Sequence, residues 1–328
     1  MIPSLDLSQF QARAKFDFIR FYFALHGDEL GVGRERCKSV QSENYEPWIV
    51  TIHDPTPAEL HYLKIEGDDP SLHGLELTVD LLPRPSVPVE DRQALLQQTF
   101  LALAARFRPD DHLQTGAGYK AAHYRPRGVY IHDRLPGVGA ELVYGHRDAG
   151  ANMKLYLKQH DQRRQLPVEQ WSVRMEVTLQ RYGLYLVGLD RVSSLFGFKY
   201  RAAFADWFTV IDRVTVRRNA RWSALRVARL EQLLDRRWRE AGINALGPKV
   251  VPVDALVRTR EEIERRSRAG HRRTLDPRPF VLKPHRRAHD MIANALRQLE
   301  RKMAQRISGA MPSADADKSL MTNDAARH

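Results

Sequence analysis

Cysteine is almost missing from this chain, with Cys37 the single one among 328 residues. That excludes an internal disulfide framework and any zinc site built on cysteines. No apolar run approaches the length of about 18 residues that a membrane span needs. The opening stretch, MIPSLDLSQFQARAKFDF, lacks the charged-then-apolar layout of a secretory signal, so a cytoplasmic protein with no membrane partner is the expectation. None of the 13 histidines stands in a histidine–hydrophobe–histidine arrangement. Gly137-Val138-Gly139 is followed by strand signals rather than a helix, which excludes a nucleotide loop. Internal repeats and catalytic triads are also lacking. These absences weigh against a small-molecule enzyme.

Positive charge, by contrast, is in excess and unevenly placed. The net charge is +12. Between Arg213 and Arg306 there are about 25 Lys and Arg against about 10 Asp and Glu, which leaves the rest of the chain slightly acidic. A basic segment joined to a near-neutral one points to a polyanion partner, most simply nucleic acid.

The chain is organised around Glu141 to Leu179. Two runs there alternate with period two. Met153, Leu155 and Leu157 face one way, and Lys154, Tyr156 and Lys158 the other. Val173, Met175, Val177 and Leu179 oppose Arg174, Glu176 and Thr178 in the same manner. Half-buried strands give this pattern. Leu75 to Leu81 repeats it, with Glu76, Thr78 and Asp80 on its free face. Glu76 and Asp80 at i and i+4 of a strand lie about 13 Å apart, too far to share an ion, so one of them paired with Glu176 across the sheet makes the better metal site. Lys15 to Leu25 and Glu46 to His53 read as further strands. Thr56-Pro57-Ala58-Glu59 is a helix start with a capping box, and Val89 to Phe107 is an amphipathic helix. Gly128 to His132 and Ala140 to Tyr144 suggest a hairpin. The fold class expected is α+β: a mainly antiparallel sheet with helices on one face, followed by a basic helical C-terminal region.

Val143-Tyr144-Gly145-His146-Arg147, then Lys154-Leu155-Tyr156-Leu157-Lys158, then Trp171-Ser172-Val173-Arg174-Met175-Glu176-Val177 resembles the replication initiation factors of rolling-circle plasmids and filamentous phages. The likeness covers roughly Lys15 to Leu189. His146 stands where a serine is usual, Lys154 where arginine is usual and Leu157 where aspartate is usual. The missing acid at Leu157 leaves two outcomes: a divergent nicking enzyme, or a regulatory protein that keeps only DNA binding. The resemblance implies a replication initiator that binds origin DNA and nicks it by tyrosine attack on a phosphodiester. Tyr156 is the implied nucleophile, with Tyr144 and Tyr130 as substitutes. Lys154 and Lys158 would favour its phenolate, and Arg174 would fork onto the phosphate or pair with a neighbouring glutamate. Glu76, Asp80 and Glu176 are the implied ligands of a Mg²⁺ or Mn²⁺ ion. Host helicase and polymerase are implied partners, and homodimer assembly is left open.

Arg181 to Val210 is apolar and aromatic enough for buried helix. Beyond it, Trp222 to Glu240, Val253 to Arg268 and Leu282 to Lys302 read as three basic helices. Arg226, Arg229, Arg236, Arg237, Arg272, Arg273, Arg286 and Arg287 are the candidate DNA contacts. The expected division is residues 1–210 as the initiator-like domain, 211–307 as a basic helical region and 308–328 as a disordered tail.

Overall fold

The computed structural model describes residues 4–24, 26–30, 32, 36–41, 47–106, 114–117, 122–124, 140–144, 150–161, 164–216, 222–241, 257–269 and 280–305. In chain order the strands are β1 (Phe10–Phe23), β2 (Cys37–Gln41), β3 (Trp48–His53), β4 (Leu72–Pro83), β5 (Gln114–Ala117), β6 (Ala122–Tyr124), β7 (Ala140–Tyr144), β8 (Ala151–Lys158), β9 (His160–Asp161), β10 (Arg164–Gln165), β11 (Ser172–Gln180), β12 (Ile211–Val216) and β13 (Phe280–Pro284). The helices are α1 (Pro57–Ile65), α2 (Val89–Ala104), α3 (Tyr182–Val187), α4 (Tyr200–Phe204), α5 (Ala224–Ala241), α6 (Arg260–Ala269) and α7 (Arg286–Ala304).

Nine strands form one antiparallel sheet in the order β2-β3-β1-β4-β11-β8-β7-β5-β6. Alternation decides which side of it is dry. Leu75, Leu77, Val79 and Leu81 of β4 lie beside Val173, Met175, Val177 and Leu179 of β11 and Met153 and Leu155 of β8, all buried. Helices α2, α3 and α7 pack over this apolar face. The architecture is α+β with the helices on one face, as the alternation implies. Thr56 caps α1 through the Glu59 amide while Glu59 reaches back to the Thr56 amide, the reciprocal box written in the sequence.

Several elements differ from the sequence reading. β2 is an additional edge strand, held by β3. β7 pairs with β5 and β8. Its expected hairpin partner, 128–132, lies outside the described residues, as do residues 145–147, Arg272, Arg273 and 308–328. Residues 181–210, read as buried helix, form two short helices and a 3-10 turn. Gly188 ends α3 at φ 79°, and Tyr200 anchors the segment, fully buried with its ring edge-on to Phe16 at 5.6 Å. Helix α6 begins at Arg260, and Leu282 belongs to β13, so α7 starts at Arg286.

The three basic helices do not pack as one module. α5 lies on β12, where Val216, Leu230, Leu234, Trp222 and Trp238 form a small separate cluster. α7 crosses β1 and α4, burying Ile292, Leu296, Leu299 and Met303 in the main core. Its basic residues occupy only its outer surface, so the charge of residues 286–304 conceals an apolar stripe that belongs to the sheet.

Candidate active site on the polar sheet face

Register places the polar residues of four neighbouring strands in three rows. Tyr156, Arg174, Asp80 and Arg13 stand side by side in the first row; Lys154, Glu176, Thr78 and Lys15 in the second; Asn152, Thr178, Glu76 and Phe18 in the third. Adjacent strands are about 4.8 Å apart, so neighbours within a row touch and diagonal pairs such as Glu76 and Glu176 also meet. Glu76, Asp80, Arg174 and Glu176 are all buried.

Asp17 joins them by a local irregularity. Between Phe16 and Phe18 the β1–β4 register slips by one residue, a bulge that turns the Asp17 carboxylate to this face. The Asp17 carbonyl also accepts the Asp54 amide (2.8 Å), which fixes the bulge from the β3 side. Sequence reasoning missed Asp17. The signal available was a lone carboxylate inside the aromatic run KFDFIRFYF.

Three contacts organise the centre. Tyr156 donates its hydroxyl to Glu176 Oε2 at 2.8 Å. Lys154 donates to Glu176 Oε1 and lies 3.7 Å from Glu76 Oε2. Arg174 grips Asp80 with two nitrogens, Nε to Oδ1 at 2.7 Å and Nη2 to Oδ2 at 2.8 Å, and extends Nη1 to Asp17 Oδ1 at 2.5 Å. Ser172 and Thr178 donate to Asp80 and Glu76 respectively.

The electrostatics follow from the count of charges. At its centre Asp17, Glu76, Asp80 and Glu176 outnumber the two central cations, Lys154 and Arg174, and Glu141 of β7 acts on Lys154 as well. Burial pushes the Glu76 carboxyl well above the usual glutamate range, and the adjacent Glu176 charge pushes it further. Burial likewise raises the Tyr156 phenol well above its ordinary value, with the Glu176 charge adding to it. This corrects the expectation that flanking lysines favour the phenolate: Lys154 serves the glutamates, Lys158 pairs with Asp161 at 3.1 Å, and the group touching the phenol is a carboxylate. The Arg174 fork is engaged by Asp80 and Asp17 rather than by Glu176 or Glu76.

The donor set fits a hard divalent cation. Carboxylate oxygens of Asp17, Glu76 and Glu176 lie within 4.8 Å of one another. Asn152, at the end of the third row, has a buried Oδ1 with no hydrogen-bond partner. Asp80 stands apart from this trio, its two oxygens held by Arg174. Tyr144 is on the opposite, apolar side, since it pairs with core-facing Met153, and Tyr130 lies outside the described residues.

The candidate DNA contacts are more scattered. Arg226, Arg229 and Arg236 are exposed on α5, with the Arg226 guanidinium 4.9 Å from the Trp222 ring centre, and Arg237 lies on the same helix. Arg286 and Arg287 are exposed in the first turn of α7. Among the described residues no helix is long and apolar enough to cross a membrane.

No protein-family profile matches the chain, and no curated protein matches its sequence. A solved structure of a rolling-circle replication initiator protein from Geobacillus stearothermophilus is similar at 11% identity and a TM-score of 0.35, over 65% of this chain and 90% of that one. A likeness of that size leaves the functional question to the residues themselves.

Proposed function

We propose that this protein is a replication initiator that binds origin DNA and nicks it through Tyr156. The observation that carries the reading is the hydrogen bond from Tyr156 to Glu176 inside a desolvated group of carboxylates, where a nucleophile and its base are already in contact. As Tyr156 Oη attacks phosphorus, its proton passes to Glu176. The bond to the 3′ oxygen breaks, leaving a 5′-phosphotyrosyl protein and a free 3′-OH that a polymerase can extend. Because the phenol is held above its usual range, the proton leaves during attack and not before it. Lys154, on the other oxygen of Glu176, is the proton source for the departing 3′ oxygen.

Asp17, Glu76 and Glu176 would hold Mg²⁺ or Mn²⁺, which supplies charge stabilisation at the scissile phosphate when bound. Arg174 is a positioning residue that keeps Asp17 turned toward the other two. Exposed arginines of α5 and of the first turn of α7 bind the DNA backbone without regard to sequence.

A second reading is a DNA-binding regulator that does not nick. One contact favours it: the Lys154 ammonium between Glu176 and Glu76 is a built-in countercharge where a metal would sit. Incubating supercoiled origin DNA with the protein and Mg²⁺ or Mn²⁺ separates the two. Nicked circles carrying covalent protein are expected, and Tyr156→Phe should still bind DNA yet form no adduct. No adduct from the native protein with either metal moves the conclusion to the regulator.

A further inference from the structure

The polar sheet face does not end at the carboxylates. It continues across β1, β3 and β2, where its composition changes. The outward positions there are Phe18, Arg20 and Tyr22 on β1, Ile49, Thr51 and His53 on β3, and Lys38 and Val40 on β2. Register aligns Phe18 with His53, Arg20 with Thr51 and Lys38, and Tyr22 with Ile49 and Val40. None of these eight positions is acidic. Phe18, Arg20, Tyr22, Ile49 and His53 are half-buried, and Lys38 and Val40 are exposed, Val40 at 64%. An exposed valine on an edge strand, beside half-open aromatic rings, is surface that water covers poorly.

The rings and cations are interleaved. Arg20 donates to the Thr51 hydroxyl at 3.0 Å, which holds its guanidinium 5.3 Å from the centre of the Phe18 ring. Both side chains lie over Gly74 of β4, where a Cβ would make only ordinary contact, 3.4 Å from the Arg20 Cβ and 3.6 Å from the Phe18 ring. The Phe18 and His53 rings meet edge-on at 6.2 Å. Tyr22 meets His73 at 5.0 Å, and Arg181 donates to His73 at 3.2 Å, adding a further cation at the margin.

We propose that this half of the face is a stacking platform for an unpaired DNA strand; the proposal rests on the neighbouring carboxylate cluster being a nicking site. The chemistry that recognises single strands is aromatic faces for the bases and cations for the phosphates, on a surface free of carboxylates. A duplex hides its base faces and gains nothing from the rings. Successive outward positions of a strand recur about every 6.6 Å, so Phe18 and Tyr22 are about 13 Å apart, a spacing that suits an extended strand rather than a stacked helix. Continuity gives the direction. Phe18 stands directly opposite Glu76, so the aromatic half adjoins the carboxylate half, and a strand leaving β1 there crosses β4 and β11, about 14 Å, to bring its backbone to Tyr156 on β8. The platform would hold the strand on one side of the nick.

The test is fluorescence anisotropy of a labelled oligothymidylate with the full chain in EDTA, where nicking plays no part. The native protein should bind it. Phe18→Ala and Tyr22→Ala should each weaken binding about tenfold, from the loss of one stacked base, while Tyr22→Phe retains it. Lys38→Glu combined with Val40→Glu changes only exposed side chains on the edge strand, so it decides the matter if an alanine variant fails to fold. It should weaken oligothymidylate binding while leaving the melting temperature and binding of a blunt duplex unchanged. Unchanged oligothymidylate affinity in that double variant overturns the proposal, as does an equal loss for the duplex, or no binding by the native protein. Covalent-adduct formation is read separately: a missing adduct with these binding results intact sinks the nicking reading and leaves the platform standing.

Discussion

Across β4, β11 and β8, joined by Asp17 from β1, the polar sheet face carries carboxylates and their cations; at the outward positions from Phe18 to Tyr22 of β1 and across β3 and β2 it carries half-open rings and cations. Both halves come from the same alternation, and their apolar backs are covered by one core. The difference lies in what burial demands. A charge taken out of water needs a partner at hydrogen-bond distance, so the inner half is cross-linked by Arg174 and Lys154 and its geometry is fixed. Rings that are only half-buried carry no such requirement and stay available for a ligand. The inner half is suited to chemistry, and the outer half to holding what the chemistry acts on.

The largest expected effect comes from breaking the inner half. Arg174→Met leaves Asp80 buried without its cation and should cost about 3–5 kcal/mol. Urea midpoints measure it. The comparison fails if Tyr22→Ala, which strips a ring from the outer half, proves as destabilising.

Removing the other central cation should expose the ion-binding character of the inner half. Lys154→Gln is expected to lower the melting temperature in EDTA and to recover with Mn²⁺, with a larger metal-induced rise than in the native protein. An identical Mn²⁺ response in both proteins would show that Lys154 does not occupy the cation seat.

Glu76 makes the contrast sensitive to pH. Its folded pKa is raised above that of an ordinary glutamate, so the folded state holds a proton that the unfolded chain has released. The stability this contributes is present below the usual glutamate pKa and is lost as pH rises through the folded value. Native stability should therefore decline from acid toward neutral pH, and Glu76→Gln should flatten that decline. Denaturation midpoints between about pH 5 and 8 provide the check. Parallel profiles would mean that Glu76 is ionised throughout.

The smallest effect concerns stability on α5, far from either half in chemistry. Arg229→Glu should stay within about 0.5 kcal/mol of native because the side chain is exposed. The slope of log affinity for DNA against log salt should nevertheless fall by about one or more. An unchanged salt slope would remove α5 from the DNA-binding surface. Point changes are the right instrument here, since deleting residue 213 onward would also take Ile292 and Leu296 out of the core.

Much of this was legible in the sequence wherever the cause is local. The Thr56–Glu59 box needs four residues, and the alternation through Lys154, Tyr156, Arg174, Glu176 and Glu76 needs only a strand of period two. The rest depends on pairings between distant segments. Asp80 meets Arg174 across 94 positions, so the partner of that arginine could not be read from spacing. Asp17 faces the site because β1 bulges between two partners. β2, with its lysine, serine and glutamine, becomes a strand because β3 offers it an edge. α7 was legible as a helix, but not that β1 would receive its apolar side.

That last contact also sets a timetable. β1 ends at Phe23 and the helix that covers it begins at Arg286, so a long stretch of chain separates two surfaces that must meet. A ribosome making this protein releases its first strand long before the covering helix exists. The apolar side of β1 must wait, shielded by chaperones or by provisional contacts, until residues 286–304 have been made. The core closes last at its oldest strand, which makes folding slow by topology and makes any prematurely ended product sticky rather than partly active.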